Sequence, residues 1–227
     1  MNKIFERTKG LIGSQNLDIL NNSHIIVFGV GGVGGYCVEA LARAGIGEIT
    51  IVDNDIIDVT NINRQIIATE ETIGMYKVRV FKERLLSINK CIKVNDIKMF
   101  YLPEKKEKFD FSEFSYVIDA VDNITAKIDI ISNSKKVDTP VISCMGMGNK
   151  LNPQMIEVDY IHKTSICPLA KVVRKELAKR DIKDIKAVYS RETPTVRKSP
   201  PGSISFVPSV AGLIMAGEVI NSLIDIY

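Results

Sequence analysis

The chain has 227 residues, of which 45% are hydrophobic and 25% charged, with a net charge of +3; this is the composition of a soluble protein with one α/β domain and a substantial core. It contains no uninterrupted run of about 18 apolar residues, and its first residues lack the apolar core of a signal peptide, so we expect a cytoplasmic protein with no membrane partner. The four cysteines form no Cys-x-x-Cys pair, which argues against a structural zinc site and a disulfide framework.

Short apolar runs alternate with helical patterns through the first 145 residues. The runs predict strands near 24–29, 48–53, 93–99, 116–119 and 140–144, and the patterns between them predict helices at 32–45, 76–89 and 124–136. This alternation indicates βαβ units and therefore an α/β fold, a Rossmann-like and mostly parallel sheet with flanking helices. Ligands of such sheets bind at the carboxyl ends of the strands.

The pattern changes beyond Gly146, where a C-terminal extension adds further strands and helices. It predicts a strand at 155–159, a basic amphipathic helix at 168–180, a Pro-rich loop at 191–203 and a helix at 209–224. We predict one domain over 1–227, with a nucleotide-binding core at 1–146 and a substrate-side extension at 147–227.

The positive charge is concentrated in residues 160–200. This segment holds eleven Lys and Arg against four Asp and Glu, so it carries +7 while the rest of the chain carries −4. Such a segment is typical of a surface that binds a polyanion, although a solvated helix face has the same composition.

A glycine-rich turn follows the first strand. The segment 29–35 reads Gly-Val-Gly-Gly-Val-Gly-Gly and leads into a helix. Glycines at such a turn let backbone N–H groups approach a phosphate, with the positive end of the helix dipole behind them. The turn predicts a nucleotide site, and a tight turn without a ligand is the simpler alternative.

A second polar tract follows the second strand, and it distinguishes ATP from NAD. Asp53 closes that strand, where an acidic side chain suits a ribose hydroxyl. Asn61 and Arg64, followed by Gln65, add a donor and a fixed cation of the kind that a triphosphate needs. An NAD-dependent dehydrogenase has no need of Asn61, Arg64 and Lys77 around its phosphates, and a catalytically silent nucleotide-binding scaffold has no need of Asp122.

Two further residues are candidates for phosphate chemistry. Lys77 lies thirteen residues beyond Arg64, early in a predicted helix, where a lysine alone is usually solvated. Asp122 follows the fourth strand, where either Asp122 or Asn123 suits the N-cap of the next helix. The alternative function of Asp122 is to bind a metal ion beside a triphosphate.

Together these motifs resemble the ubiquitin-activating-enzyme-like superfamily, which includes the enzymes that adenylate sulfur carriers, over residues 5 to about 225. The resemblance implies that Asp53 holds the ribose, that Asp122 holds Mg²⁺, and that Arg7 crosses a homodimer to the partner's ATP. The implied ATP-binding residues are Gly29, Gly31, Gly32, Gly34, Asp53, Asn61, Arg64, Gln65 and Lys77, and the implied catalytic residues are Arg7, Arg64, Lys77 and Asp122.

Within this superfamily the chain most resembles the tRNA threonylcarbamoyladenosine dehydratases. The likeness lies in residues 7–13, 42–47, 168–170 and 188–190. It implies ATP-dependent activation of the threonylcarbamoyl carboxylate on adenosine 37 of tRNA, followed by cyclisation with loss of AMP. The basic segment is what a tRNA-binding relative should have. An enzyme that activates the C-terminus of a ubiquitin-like sulfur carrier is the main alternative, and a monovalent cation and a helper protein are left open.

Cys144 and Cys167 are the two candidate nucleophiles among the cysteines. Cys144 ends a predicted strand and fits a small buried apolar residue better. Cys167 stands before Pro-Leu-Ala, where the family often has an acid. It is an alternative acyl-capturing thiol, but the sequence indicates neither a paired His nor a helix N-terminus that would lower its pKa.

Overall fold

The computed structural model describes residues 3–194 and 201–225, and in it one seven-stranded sheet organises the chain. The strands are β1 His24–Phe28, β2 Glu48–Val52, β3 Lys93–Ile97, β4 Tyr116–Asp119, β5 Val141–Cys144, β6 Ile156–Tyr160 and β7 Lys186–Ser190. The helices are α1 Glu6–Asn22, α2 Gly34–Ala44, α3 Lys77–Ile88, α4 Ile124–Lys136, α5 Pro168–Ala178 and α6 Phe206–Leu223.

The strand order is β3-β2-β1-β4-β5-β7-β6. Every neighbouring pair is parallel except β6 with β7, which is antiparallel. The predicted Rossmann-like, mostly parallel sheet is therefore confirmed. The chain order reverses between β1 and β4, and a doubly wound sheet binds its ligand at such a switch point. The division at residue 146 stays a prediction, and β6 and β7 extend the same sheet.

The sheet separates two buried layers, and β1 supplies both. Ile25 and Val27 join the layer with α2, α3 and α6, whereas Ile26 and Phe28 join the layer with α4, α5 and a cluster of aromatic rings. All four side chains are fully buried, which explains why the strand has no polar alternation. Each such side chain contributes about 1.5–3 kcal/mol by leaving water.

The predicted elements of the first 145 residues all form, with ends shifted by one or two residues. Two elements were missed: α1, which precedes the first predicted strand, and β7, which lies between β5 and β6 in the sheet. The amphipathic helix predicted at 168–180 forms as α5, with Ala170, Val173 and Leu177 buried and Val172 exposed. The loop predicted at 191–203 falls partly on residues 195–200, which lie outside the described residues.

One helix of the described chain, α6, is long and apolar enough to cross a membrane, with a mean hydropathy of 1.5. Its buried face packs on α2, and this packing explains much of its apolar character. Gly212 is the point of closest approach, since a Cβ there would overlap the backbone carbonyl of Val33. The inner face is Val207, Ala211, Met215, Ala216 and Val219. The composition of α6 is therefore that of a core helix with one apolar outer face.

Candidate active site

A cleft of about 540 Å³ opens at the carboxyl edge of the sheet, at the switch point between β1 and β4. Its volume lies in the range of small-molecule sites. It brings together most of the residues that the sequence singled out. Those that line it are Gly29, Gly31, Gly32, Asp53, Asn61, Arg64, Gln65, Lys77 and Asp122.

The glycine turn is shaped by close backbone approaches. Gly29 has φ +84°, and a Cβ there would lie 2.8 Å from the carbonyl oxygen of Ala120. Gly34 does not line the cleft but starts α2, where a Cβ would overlap the carbonyl of Gly29. The turn can therefore pass close to both β4 and its own helix only without side chains at these two positions.

Asp53 fixes the turn from the neighbouring strand. Its carboxylate accepts hydrogen bonds from the backbone N–H of Val30 at 2.9 Å and of Asp55 at 2.8 Å. Burial raises the pKa of Asp53, an effect that these two N–H donors oppose. The carboxylate is thus oriented before any ligand arrives, at the end of β2 beside the glycines.

Asn61 and Arg64 lie in and after a short 3₁₀ helix at Val59–Asn61, and Arg64 lies beside Gly32 of the glycine turn. Asn61 is buried, and its amide oxygen accepts from the N–H of Asp58 at 3.2 Å, so its NH₂ group is the end left to donate. Arg64 Nη1 donates to the carbonyl of Thr60 at 2.7 Å and to the Asn63 side chain at 3.0 Å. These bonds hold one edge of the guanidinium in place.

Gln65 has a buried polar atom without a partner. The residue is 6% exposed and lines the cleft, and within the described part of the chain its Oε1 forms no hydrogen bond. An unsatisfied buried amide costs about 1–3 kcal/mol. Such a group is expected at a ligand site, since a bound molecule or water would satisfy it.

Lys77 is buried, contrary to the solvated position that is usual for a lysine at a helix start. Its Nζ lies 2.8 Å from the Asp55 carboxylate, and the lysine side chain is only 6% exposed. The backbone carbonyl of Asp55 also accepts from the N–H of Lys77 at 3.0 Å. The ion pair holds a desolvated ammonium at the cleft wall, where it would act strongly on a phosphate.

Asp122 is exposed on the cleft wall, and no cation lies within ion-pair distance of it among the described residues. The N-cap of α4 is Asn123, whose side chain accepts from the N–H of Ala126 at 2.9 Å. Asp122 is therefore not consumed by capping. No group of three or more His, Cys, Asp or Glu side chains in the described chain could hold a metal by itself. A cation at Asp122 would need further oxygens, such as those of phosphates.

Lys127 is a fully buried lysine under the cleft, and its burial was not predicted from the sequence. Its Nζ lies 2.7 Å from Asp119 Oδ2 and 3.0 Å from the carbonyl of Cys144, and it also bonds Ser143 Oγ. Asp119 in turn accepts from the N–H of Val121 at 3.2 Å. This network ties α4 to the ends of β4 and β5 and so fixes the backbone that carries Asp122. A lysine in the first turn of a helix gives no sequence signal of burial.

Comparisons with known proteins agree with this geometry. The family model described as the ThiF family matches residues 5–226. The chain belongs to the ThiF family. It is 43% identical to the tRNA threonylcarbamoyladenosine dehydratase of Bacillus subtilis (strain 168) over 97% of this chain and 94% of that protein. It is 42% identical to the protein of that name from Haemophilus influenzae, over 77% of this chain and 69% of that protein.

A solved structure gives the same result. The E. coli tRNA N6-threonylcarbamoyladenosine dehydratase TcdA in complex with ATP superposes with a TM-score of 0.93 at 31% identity, over 98% of this chain and 94% of that chain. The fold seen here is thus the fold of an ATP-binding ThiF-family relative.

Arg7 of this ThiF-family chain lies away from the cleft. It is exposed in the first turn of α1 and is not among the residues that line the cleft. From the sequence we predicted that Arg7 acts at the ATP site of a partner subunit and not at the ATP site of its own chain. This role of Arg7 across a dimer stays a prediction.

The basic segment is more engaged in internal contacts than its charge suggested. Arg174 Nη1 donates to the carbonyl of Thr164 at 2.6 Å, so this arginine ties α5 to the preceding loop. Lys179 and Arg180 both pair with Glu176. Of the remaining cations, Arg197 and Lys198 lie outside the described residues.

Cys144 and Cys167 are both buried. Burial raises the pKa of Cys144 to about 12, so it is a packed apolar residue, as predicted. Cys167 forms the N-cap of α5, which corrects the sequence-based view that no helix N-terminus is near it. With 4% of its surface exposed, its thiol is closed to a macromolecular acyl donor.

Proposed function

We propose that this protein is an ATP-dependent tRNA threonylcarbamoyladenosine dehydratase. The observation that carries the proposal is the cleft: a glycine turn, a ribose-directed carboxylate and two cations meet in one pocket of a chain similar throughout to dehydratases. The same pocket suits adenylation, in which a carboxylate displaces pyrophosphate from the α-phosphorus of ATP.

ATP binds along the glycine turn, with its ribose at Asp53 and its phosphates beside the N-terminus of α2. Asn61 and Gln65 donate to phosphate oxygens through their NH₂ groups, and the unsatisfied Gln65 Oε1 accepts from a hydroxyl group or a water in the occupied cleft. Arg64 and Lys77 neutralise the charge that grows as the carboxylate attacks and the α–β bond breaks. Their anchors, Thr60 and Asp55 respectively, hold each cation in place before reaction.

Asp122 would hold Mg²⁺ together with phosphate oxygens, and such an ion screens charge on the leaving pyrophosphate when bound. An exposed, unpaired carboxylate at the cleft wall matches the usual donor set of Mg²⁺, one or two carboxylates plus phosphates.

The carboxylate that attacks belongs to threonylcarbamoyladenosine at position 37 of tRNA. Adenylation activates it, and ring closure within the same nucleoside expels AMP, so one ATP yields AMP and pyrophosphate for each water removed. Because its substrate is tRNA, we propose that the protein acts in the cytoplasm. We propose that it works as a homodimer in which Arg7 reaches the partner's ATP.

The decisive experiment supplies purified protein with ATP and tRNA that carries threonylcarbamoyladenosine. We expect AMP to form in equal amount to a nucleoside lighter by one water, as measured by mass spectrometry. The Arg64→Ala variant serves as the control for a contaminating activity. AMP formation with a small protein that ends in Gly-Gly, and none with tRNA, would favour the carrier-activating alternative instead.

A further inference from the structure

A second depression lies beside the cleft, on the β3 side of the sheet edge. It shares five lining residues with the cleft, and these are Asn54, Asp55, Ile56, Met99 and Phe100. We use the name lysine–aromatic patch for five of its side chains, Tyr76, Lys98, Phe100, Lys105 and Lys108, of which only Phe100 also lines the cleft. None of these is needed by the reaction as described, and the patch is continuous with the cleft.

The charge of the patch is unbalanced. No carboxylate lies within ion-pair distance of Lys98, Lys105 or Lys108 in residues 3–194 and 201–225. Two nearby acids pair with other lysines, Asp96 with Lys82 and Glu107 with Lys106. Asp55, on the rim, is already paired with Lys77. Three cations without carboxylate partners on one surface suit a ligand with repeated negative charge.

The aromatic members are exposed. Tyr76 is 40% and Phe100 44% exposed, although aromatic rings of this size usually pack inward. The Lys98 ammonium lies 3.5 Å from the Tyr76 ring centroid. Lys105 Nζ donates to the carbonyl of Phe100 at 3.0 Å, which fixes the backbone that presents the phenyl ring. Exposed rings between lysines can stack on unpaired bases while the lysines bind the phosphates.

We propose that the lysine–aromatic patch binds the single-stranded RNA next to the substrate nucleoside, with one base stacked on Phe100 and the adjacent phosphates on Lys98 and Lys108. This inference rests on the proposed function, because it assumes that the nucleoside in the cleft belongs to an RNA. Continuity with the cleft favours RNA over a separate protein partner, since a nucleotide strand must leave the cleft in some direction. The patch offers it an exit with alternating charge and ring faces.

The test compares a patch variant, Lys98→Ala with Lys108→Ala, with a matched control, Lys90→Ala with Lys136→Ala. Both control lysines are exposed but lie at the opposite edge of the sheet. Lys90 follows the end of α3, and Lys136 is the last residue of α4. Steady-state KM is measured separately for ATP and for tRNA. An RNA hairpin that carries the anticodon loop is titrated by fluorescence anisotropy at several salt concentrations.

We expect the patch variant to raise the KM for tRNA and the Kd for the hairpin about ten-fold, with the KM for ATP and the melting temperature unchanged. Its log Kd should depend less steeply on log salt, by about one unit for each lost phosphate contact. Phe100→Ala should also weaken the hairpin about ten-fold but leave the salt slope unchanged, because stacking releases no counterions.

Equal hairpin affinity in the patch and control variants would overturn the inference while leaving the proposed function intact, as would a patch that binds a protein instead. A parallel rise in the KM for ATP would also overturn it, by assigning the lysines to the nucleotide. If wild-type protein fails to modify tRNA, the proposed function fails, and the hairpin titration still decides whether the patch binds RNA.

Discussion

At the scale of single residues, the cleft holds charged groups at a cost to folding. Asp53 is the clearest example, because burial raises its pKa even though two backbone N–H groups bond its carboxylate. A raised pKa in the folded state means that the stability linked to the protonated form is fully present below the unfolded pKa. It is lost as the pH rises through the folded pKa.

Replacing Asp53 with Asn tests this linkage. The variant has no carboxylate to ionise, so its melting temperature relative to wild type should rise as the pH increases above about 4, the unfolded pKa of Asp, and level off once the folded carboxylate is ionised. ATP binding should weaken in the same variant, because an amide offers the ribose a poorer acceptor. Melting curves without nucleotide across this pH range, with ATP titration calorimetry at neutral pH, measure both effects. A pH-independent difference in melting temperature would contradict the assignment.

Arg64 is predicted to act on the transition state. Arg64→Ala should lower kcat by a factor of about 10²–10³ with a small change in ATP affinity. Arg64→Lys should not recover wild-type kcat, since an ammonium cannot bond the Thr60 carbonyl and still present a planar fork to a phosphate. Pyrophosphate exchange is the measurement. Arg79→Ala is the control, because Arg79 is an exposed helix arginine paired with Glu83, and a similar loss there would contradict a specific role for Arg64.

The buried Lys127–Asp119 pair should behave as a unit. Lys127→Met leaves the Asp119 carboxylate buried and unpaired, so the free energy of unfolding should fall by about 3–5 kcal/mol. The double variant Lys127→Met with Asp119→Asn should be less destabilised than the single one, because no uncompensated charge remains. Urea unfolding of the wild type, of each single variant and of the double variant measures the coupling. Additive losses would mean that the pair contributes nothing through its charges.

At the scale of elements, the sequence predicted those parts whose residue pattern repeats and missed those whose pattern is weak. Strands β1, β2, β4 and β5 are apolar runs that fill the middle of the parallel part of the sheet, so composition alone marks them. Helix α1 was not predicted because only Leu17 and Leu20 of its seventeen residues are buried, so the sequence shows no apolar stripe there. Strand β7 was not predicted because it starts in a basic stretch at Lys186. The neighbouring charged residues obscure the apolar pattern of its four buried residues.

The candidate site divides in the same way. Motif spacing placed the glycines, Asp53 and Arg64, because each follows the end of a strand and such ends meet at one edge. It could not find Lys127 or the burial of Lys77, since both depend on partners that only tertiary packing supplies. The count of charged residues likewise could not show that Arg174 bonds within the fold.

Helix α5 separates cations that hold the fold from cations that are free to bind. Arg174→Ala removes the bond to the Thr164 carbonyl and should lower the free energy of unfolding by about 1–2 kcal/mol. Lys171→Ala with Lys175→Ala should leave stability unchanged, because both side chains are exposed and unpaired with carboxylates in the described chain. Chemical unfolding decides between them. Equal stability of the two variants would contradict the structural role of Arg174.

At the scale of the whole molecule, the outer face of α6 bears on assembly. Phe206 and Leu213 are 41% and 49% exposed, and with Val210, Gly217 and Ile220 they follow the three- and four-residue spacing of a packing stripe. The start of this helix adjoins the cleft, since Pro208 lines it. A second copy packed on this face would therefore bring its own residues close to the nucleotide, which fits the predicted role of Arg7.

Mixing two variants that we expect to be inactive tests whether Arg7 acts across the proposed homodimer. Arg7→Ala and Arg64→Ala each remove one residue from every site, so each alone should be nearly inactive. In a mixed dimer one site combines Arg64 from one chain with Arg7 from the other, and that site is intact. Random exchange of subunits makes half of the dimers mixed, so activity should recover to about a quarter of wild type. Leu213→Glu in both chains should abolish the recovery by placing charge on the α6 stripe. Activity that stays at the level of the single variants after proven exchange would place Arg7 outside the partner's site.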